Sequence, residues 1–127
     1  MSNTAGMNWI RQEKRLAIYL RDGLACCYCG KGIENNIQLS LDHLKPRIKN
    51  GSHHESNLIT CCIKCNSSRQ DKKLNAFLKI IAISKNVSIE DIQKKIRNQT
   101  ARKLPKQEAK KLIEIRGSAK KAIDHLK

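Results

Sequence analysis

The fold of this chain is decided by residues 26–69, CCYCGKGIENNIQLSLDHLKPRIKNGSHHESNLITCCIKCNSSR. Two Cys-x2-Cys pairs bracket this stretch, formed by Cys26 with Cys29 and by Cys62 with Cys65. Each pair places two thiolates on one side of a tight turn, which suits a tetrahedral Zn²⁺ with Zn–S bonds of about 2.3 Å. Four sulfurs complete the coordination shell, so the spacing predicts a structural zinc that closes residues 30–61 into a functional insert.

Two further cysteines, Cys27 and Cys61, lie next to these pairs and leave a mixed ligand set or a disulfide open. Neither has the x2 spacing, so both are expected to be small buried side chains. In a reducing compartment, cysteines spaced in this way are better interpreted as metal ligands than as disulfides.

The composition favours a single basic domain that binds nucleic acid. The 127 residues suffice for one modest hydrophobic core. Lys and Arg total 26 against 11 Asp and Glu, and a net charge of +15 binds polyanions through phosphate contacts. Aromatic residues make up only 3% and no long apolar run occurs, which argues against a membrane partner. Met1–Gly6 is polar and predicts no signal peptide, so we expect a cytoplasmic protein, with nucleic acid as the partner that its charge favours.

The periodicity of apolar residues predicts a helix followed by a hairpin. Residues 8–22 have the apolar spacing of a helix. Residues 37–42 alternate apolar and polar side chains as a half-buried strand does, which would turn Asp42 away from the core. A polar loop over residues 47–57 connects this strand to the short apolar run 58–60.

The segment after the second cysteine pair is predicted to be helical. Apolar side chains recur at i, i+3, i+4 and i+7 from Leu74 to Ile81, which indicates an amphipathic helix with its stripe on the core. This helix is either continuous with a turn that starts at Asn66 or broken near Gln70.

Two further helices are predicted near the C-terminus. Ser88-Ile-Glu-Asp91 resembles a capping box, with Asp in place of Glu or Gln, and opens a short helix. Residues 98–103 are expected to form a hinge. Pro105 suits a first helical position, and the helix that follows contains Gly117 at a cost of about 1 kcal/mol relative to Ala.

We therefore expect an α+β domain at residues 1–85, with its core at 24–81, and a basic helical extension at 86–127. The apolar spacing of the extension suits docking, self-association or binding of a protein partner. Its excess of basic residues favours DNA clamping, although a run of charge is usually a solvated face. No helix-turn-helix or homeodomain pattern accompanies it, which predicts weak sequence specificity and strong salt dependence.

Three sequence motifs follow one another along the chain: ACCYCG from Ala25, LDHLKPR from Leu41 and SNLITCCIKCNSSR from Ser56. Together they resemble the signature of the HNH nuclease family over about residues 26–69. The resemblance implies a ββα-metal fold, in which two strands and a helix hold one divalent ion against the scissile phosphate. It also implies a metal-dependent endonuclease that nicks or cuts duplex DNA by hydrolysis and leaves a 5′ phosphate.

Asp42 and His43 lie at the centre of this signature. His43 is the expected general base, because an imidazole titrates near neutrality and can take a proton from the attacking water. Asp42 supplies a hard oxygen ligand of the kind that Mg²⁺ or Mn²⁺ prefers. In the family, the position of Asn66 holds His or Asn and completes the metal site, although Asn66 also suits a helix N-cap. Asn57 resembles the residue that braces the loop and orients the base histidine.

Four basic residues near the signature are expected to bind DNA, namely Arg47, Arg69, Lys72 and Lys73. Arg69 stands where the family commonly has Lys or Arg, one helical turn past Asn66, which would place it to contact a phosphate oxygen. Arg47 and Arg69 are equally compatible with solvated surface. His53 and His54, in the loop of the hairpin, are expected to lie at the surface rather than to bind metal.

Two other functions remain compatible with these residues. A zinc-stapled module could bind nucleic acid without cutting it, although a pure binder has no need to keep Asp42, His43 and Asn66 in register. Alternatively, the domain is the nuclease of a larger assembly, such as a phage packaging or restriction system, with the helical extension as its docking element.

Overall fold

The structure is a computed structural model that describes residues 8–127 and has the α+β fold that the sequence predicts. The segment Met1–Gly6, on which the expectation of no signal peptide rests, lies outside the described residues. The elements follow in this order: α1 (Gln12–Arg21), β1 (Leu39–His43), β2 (Leu58–Cys62), α2 (Ile63–Arg69), α3 (Leu74–Lys85), α4 (Ile89–Ala101), α5 (Lys106–Arg116) and α6 (Ala119–Leu126). Within residues 8–127 no helix has the length and apolar content needed to cross a bilayer.

β1 and β2 form an antiparallel hairpin in which Leu39 pairs with Cys62. Both faces of β1 are buried, since Ser40 and Asp42 are only 0% and 6% exposed. The expected outward orientation of Asp42 is therefore wrong. The physical reason is that α2 folds back over the second face of β1, where it places polar partners for both side chains.

Apolar side chains pack into two clusters. The first joins the hairpin to α1, α5 and α6, and it includes Leu16, Leu41, Leu58, Ala109 and Ala119. The second joins β2 and the cysteines to α3 and α4, and it includes Ile59, Phe77, Leu78, Ile81 and Ile96. The hairpin contributes to both clusters, so its position is fixed by the helices that precede it and by those that follow it.

A break separates α2 from α3, and it decides between the two alternatives that the sequence left open. Gln70 follows α2 with φ of +52° and ψ of −131°, a conformation outside the helical regions that ends the helix. α3 begins only at Leu74, and its buried residues Phe77, Leu78 and Ile81 confirm the predicted stripe.

The C-terminal helices differ from the prediction in two places. α4 continues to Ala101 with Gln99 buried, so residues 98–103 are mostly helical and the expected hinge is wrong. Gly117, expected inside one helix, ends α5 with φ of +97°, and Ser118 then caps α6. A glycine in this conformation has no steric cost at a helix end, so a sharp turn is formed there.

The extension packs against the N-terminal helix rather than projecting away from it. α5 contacts α1, and α6 contacts both α5 and α1. The Ala119 amide donates to Gln12 Oε1 at 2.9 Å, which joins the start of α6 to the start of α1. The apolar spacing predicted for docking is therefore used inside the chain.

A buried ion pair that the sequence analysis did not anticipate joins α1 to β2. Arg21 donates to both carboxylate oxygens of Asp22 at 2.7 and 3.0 Å, and to the Leu58 carbonyl at 2.7 Å. Asp22 Oδ2 also accepts from the Thr60 amide at 2.9 Å. Because each charge has several partners, the pair is held without an uncompensated group in the interior.

Candidate active site and metal centre

The four cysteines of the two Cys-x2-Cys pairs meet in one cluster. Their Sγ atoms all lie within 4.8 Å of one another, and Cys29 Sγ is 3.9 Å from Cys62 Sγ. A tetrahedral ion with bonds of about 2.3 Å holds its sulfurs about 3.8 Å apart, so these dimensions suit Zn²⁺. The prediction of a four-cysteine site compatible with structural zinc is confirmed.

Two equivalent turns build this cluster. The Cys29 amide donates to Cys26 Sγ and the Cys65 amide donates to Cys62 Sγ, each at 3.4 Å. A hydrogen bond from the Cys65 thiol acts against burial and lowers the pKa of Cys26 to about 5. A thiolate, the form that binds metal, is therefore favoured at Cys26, whereas the hydrogen bond to Cys26, together with burial, raises the pKa of Cys65.

Cys27 and Cys61 are buried free thiols outside the cluster, as their spacing predicts. Burial raises the pKa of Cys27 to about 12, and it raises the pKa of Cys61 well above its usual value. Both side chains therefore stay protonated and act as small apolar groups in the core.

Asp42 lies inside the protein, on the strand face covered by α2. Its Oδ2 accepts hydrogen bonds from the Tyr28 hydroxyl and from Arg69 Nη1, both at 2.5 Å. Burial raises the pKa of the Asp42 carboxyl, and the Arg69 guanidinium acts in the opposite direction. Two donors on one oxygen fix the orientation of this carboxylate.

Arg69 is 0% exposed, although the sequence placed it at the surface as a phosphate contact. Besides Asp42, its guanidinium donates to three backbone carbonyls, those of Lys72 at 2.9 Å, His43 at 3.1 Å and Leu44 at 2.8 Å. The expected phosphate contact is therefore replaced by an internal one. The reason is that the last turn of α2 lies against the end of β1, where a buried carboxylate requires a cation.

His43 ends β1 and is half-buried beside a second histidine. Its Nε2 lies 2.9 Å from His53 Nδ1, and the Trp9 ring centroid is 4.9 Å from that of His43. Burial, with smaller effects of His53 and Arg47, lowers the pKa of His43 to about 4. The ring is therefore neutral near physiological pH.

Asn66 lies on α2 and is attached to β1. Its amide nitrogen donates to Ser40 Oγ at 2.9 Å and to the Leu41 carbonyl at 3.3 Å. The alternative role as a helix N-cap is wrong, because α2 begins three residues earlier and is capped by Cys62 Sγ. Asn66 therefore stands on the same face of β1 as Asp42.

Comparison with known protein families identifies this arrangement, since residues 26–80 match the family model of HNH endonucleases. This segment is therefore similar to HNH endonucleases, and we call it the HNH domain. The HNH domain runs from the first cysteine pair through the hairpin and α2 into α3, so it contains the cysteine cluster, Asp42 and His43. The chain matches no curated protein and no solved structure.

The HNH domain offers few donors for a second metal ion. Among residues 8–127, the cysteine cluster is the one group of three or more Cys, His, Asp or Glu side chains that converges closely enough for an ion. An ion near β1 would therefore take fewer than three ligands from these residue types, and Asp42 with Asn66 remains the predicted pair. A carboxylate and a carboxamide are the hard oxygen donors that Mg²⁺ prefers, and Mg²⁺ usually takes few ligands from the protein.

Asn57, the middle residue of the HNH signature, ties together the two ends of the hairpin loop. Its Oδ1 accepts from the Lys45 amide at 2.8 Å, and its Nδ2 donates to the carbonyls of Lys45 and Ser52 at 3.1 and 2.8 Å. The loop is also tight at Gly51, where an added Cβ would lie 1.6 Å from the Lys45 carbonyl oxygen. This packing fixes the backbone immediately before His53.

The other basic residues predicted to bind DNA lie nearer the surface. Arg47 and Lys73 are exposed, and Lys72 is half-buried. Arg47 Nη1 donates to the Gly51 carbonyl at 2.6 Å, and Lys72 Nζ donates to the Ser68 carbonyl at 2.9 Å. These contacts stay within their own loop and turn, so the charges remain at the surface beside the hairpin.

Two residues of this site were missed by sequence reasoning. His53 was expected at the surface, yet it contacts His43, and its ring stacks on Trp9 with centroids 4.6 Å apart. Tyr28, between the first two cysteine ligands, donates to Asp42. The available signal was the position of Tyr28 in the turn between Cys26 and Cys29, because that turn must lie against the hairpin. His54 is exposed, as expected.

Proposed function

We propose that the chain is a metal-dependent endonuclease that hydrolyses DNA phosphodiester bonds, with His43 as the general base. The observation that carries this proposal is a neutral imidazole that directly follows the anchored carboxylate Asp42 along β1 in an HNH domain. A neutral ring can accept a proton, and an approaching phosphodiester anion stabilises the imidazolium that results.

The reaction is a displacement at phosphorus. His43 takes a proton from the attacking water as the new P–O bond forms. The bond from phosphorus to the 3′ oxygen breaks and the departing oxygen takes a proton from solvent water, so the products carry a 5′ phosphate and a 3′ hydroxyl, and His43 returns its proton to solvent. Asn57 supports this step by holding the loop that faces His43.

Asp42 and Asn66 are the residues that would hold a catalytic Mg²⁺ or Mn²⁺. Such an ion supplies stabilisation of the charge that develops on the phosphate and on the departing oxygen. Tyr28 and Arg69 orient the Asp42 carboxylate, and Ser40 and the Leu41 carbonyl orient Asn66. Both donors are therefore held in place before substrate arrives, which avoids reorganisation during the reaction.

Substrate binding is assigned to the basic surface around the hairpin. Arg47, Lys72 and Lys73 supply phosphate contacts, and Arg69 acts from the interior by holding Asp42. The net charge of +15 favours sequence-independent binding to the DNA backbone. We therefore infer weak sequence specificity and strong salt dependence.

One observation favours a second candidate, a zinc-stapled module that binds DNA without cutting it. The Asp42 carboxylate is already paired with a guanidinium inside the protein, and this cation competes with a metal ion for the same group. In this second function the Asp42–Arg69 pair would be purely structural.

Cleavage of supercoiled plasmid by zinc-loaded protein separates the two functions. We expect wild type to nick or linearise the plasmid with added Mg²⁺ or Mn²⁺ and to leave it intact without either ion. His43→Ala should lose this activity, whereas His125→Ala, which removes an exposed imidazole on α6, should keep it. Binding without cleavage under every divalent ion tried would establish the second function instead.

A further inference from the structure

The imidazoles of His43 and His53 form a hydrogen bond through two defined nitrogen atoms. His43 Nε2 and His53 Nδ1 are 2.9 Å apart, and the ring centroids are 5.0 Å apart. Two neutral imidazoles at this distance must share one proton, so one nitrogen donates and the other accepts. The pair therefore selects one of two tautomeric arrangements.

Contacts on both sides hold His53 in place for this bond. The Ser52 carbonyl accepts from Asn57 Nδ2 at 2.8 Å, and the His53 carbonyl accepts from Lys14 Nζ at 3.1 Å. The Trp9 ring stacks on the His53 ring with an interplanar angle of 24°. His53 is thus positioned by the loop, by α1 and by an aromatic ring.

The two tautomeric arrangements have opposite consequences for His43. If His53 Nδ1 donates, the lone pair of His43 Nε2 accepts this hydrogen bond and the proton of His43 itself lies on Nδ1. Neither nitrogen of His43 is then available as a base. If His43 donates from Nε2, its Nδ1 keeps an unshared electron pair. Which nitrogen of a histidine is protonated is set by the hydrogen bond that the other nitrogen makes.

We propose that His53 is a positioning residue that accepts the Nε2 proton of His43 and thereby presents His43 Nδ1 as the basic nitrogen. The inference rests on the proposed function for the role of that nitrogen. His53 itself touches no reacting atom in this scheme, and its own proton lies on Nε2. The Trp9 ring stacks on the His53 ring and fixes its plane.

Two His53 variants separate acceptance of a hydrogen bond from mere packing. His53→Phe keeps a ring that can stack on Trp9 but has no acceptor, whereas His53→Gln supplies a side-chain oxygen that can accept from His43 Nε2. His54→Phe is the matched control, since it removes the neighbouring imidazole, whose Nδ1 bonds to Ser56 and whose Nε2 lies 3.9 Å from Glu55 Oε1, without a contact to His43.

Imidazole ¹⁵N chemical shifts of the full-length, zinc-loaded chain report the tautomer directly, with His43 assigned by loss of its signals in His43→Asn. We expect the His43 proton on Nε2 in wild type and in His53→Gln, and a mixture of tautomers in His53→Phe. In plasmid cleavage, His53→Phe should lower kcat by about 10- to 100-fold with little change in KM, and His53→Gln should restore most of it.

The proposal is overturned if wild-type His43 carries its proton on Nδ1, or if His53→Phe leaves both the tautomer and kcat unchanged. A wild-type protein that cleaves no DNA contradicts the proposed function but not the pairing, because the ¹⁵N shifts still decide which ring donates. Loss of activity in His54→Phe equal to that in His53→Phe would show that the loop, rather than the hydrogen bond, is responsible, and would also overturn it.

Discussion

Arg69 Nη1 lies 2.5 Å from Asp42 Oδ2, and the two side chains are 0% and 8% exposed. This ion pair joins the last turn of α2 to the end of β1. One end of α2 is anchored at the cysteine cluster through Cys65, so the pair fixes its other end. The carboxylate proposed to bind metal is thereby tied to the structural metal site through a single short helix.

Arg69→Met is expected to lower the free energy of unfolding by about 3–5 kcal/mol, because it leaves a buried carboxylate without its cation. Denaturant unfolding of the zinc-loaded protein measures this. Lys72→Met is the control. It removes a charge from the same segment, and the hydrogen bond of the Lys72 side chain is exposed. Equal unfolding midpoints for the two variants would contradict the assigned role of Arg69.

Local spacing predicted the elements whose geometry is set by neighbours in sequence. The x2 spacing of the cysteines identified the cluster, and the apolar stripe of α3 followed from its helical periodicity. The turn at Gly117-Ser118 was not predicted, although the sequence contains its signal. A glycine followed by a capping residue commonly marks the end of one helix and the start of the next.

The burial of Asp42 and the contact of His43 with His53 could not be predicted in this way. Alternation along β1 indicates two faces but not what covers the second one. That cover is α2, whose path depends on where the cysteine cluster places its first turn. Likewise, the hairpin loop brings His53 to His43 through the close packing at Asn57 and Gly51, and through a hydrogen bond from Lys14, which is distant in sequence.

Substitution of one cluster cysteine is expected to remove the zinc, and substitution of a neighbouring cysteine is not. Metal analysis of wild type should find about one tightly bound zinc per chain. Cys29→Ala should lose this zinc and the cooperative unfolding transition, because metal binding and folding of such a site are coupled. Cys27→Ala should retain the zinc and show only the smaller destabilisation of a core cavity. A zinc-free folded wild type would contradict the site.

Gly51→Ala is expected to reduce cleavage while leaving the zinc in place. The new methyl group would overlap the Lys45 carbonyl, so the loop must shift, and with it the backbone before His53. The plasmid assay and metal analysis of the same preparations test this. Ile48→Ala in the same loop is the control, because Ile48 is 74% exposed. Undiminished cleavage by Gly51→Ala would show that the loop backbone has no part in positioning the site.

The lowered pKa of His43 predicts how stability depends on pH. The folded pKa of about 4 lies below the ordinary value of 6.5, so between these values the unfolded chain binds a proton that the folded chain does not. The contribution of His43 to stability is therefore present above pH 6.5 and is lost as the pH falls towards 4. Acid also weakens the cysteine cluster, so the relevant quantity is the difference in unfolding free energy between wild type and His43→Asn. Parallel curves for the two proteins over this range would contradict the shift.

Salt dependence tests whether the basic surface around the hairpin contacts phosphates. In the His43→Ala background, which is expected to bind DNA without cutting it, the logarithm of the association constant should fall linearly with the logarithm of salt concentration. Arg47→Gln should reduce this slope by about 1 and weaken binding equally for duplexes of unrelated sequence, because a phosphate contact carries no base information. A reduction confined to one sequence would instead assign Arg47 to a base edge. An unchanged slope would place Arg47 outside the interface, where its bond to the Gly51 carbonyl serves only the loop.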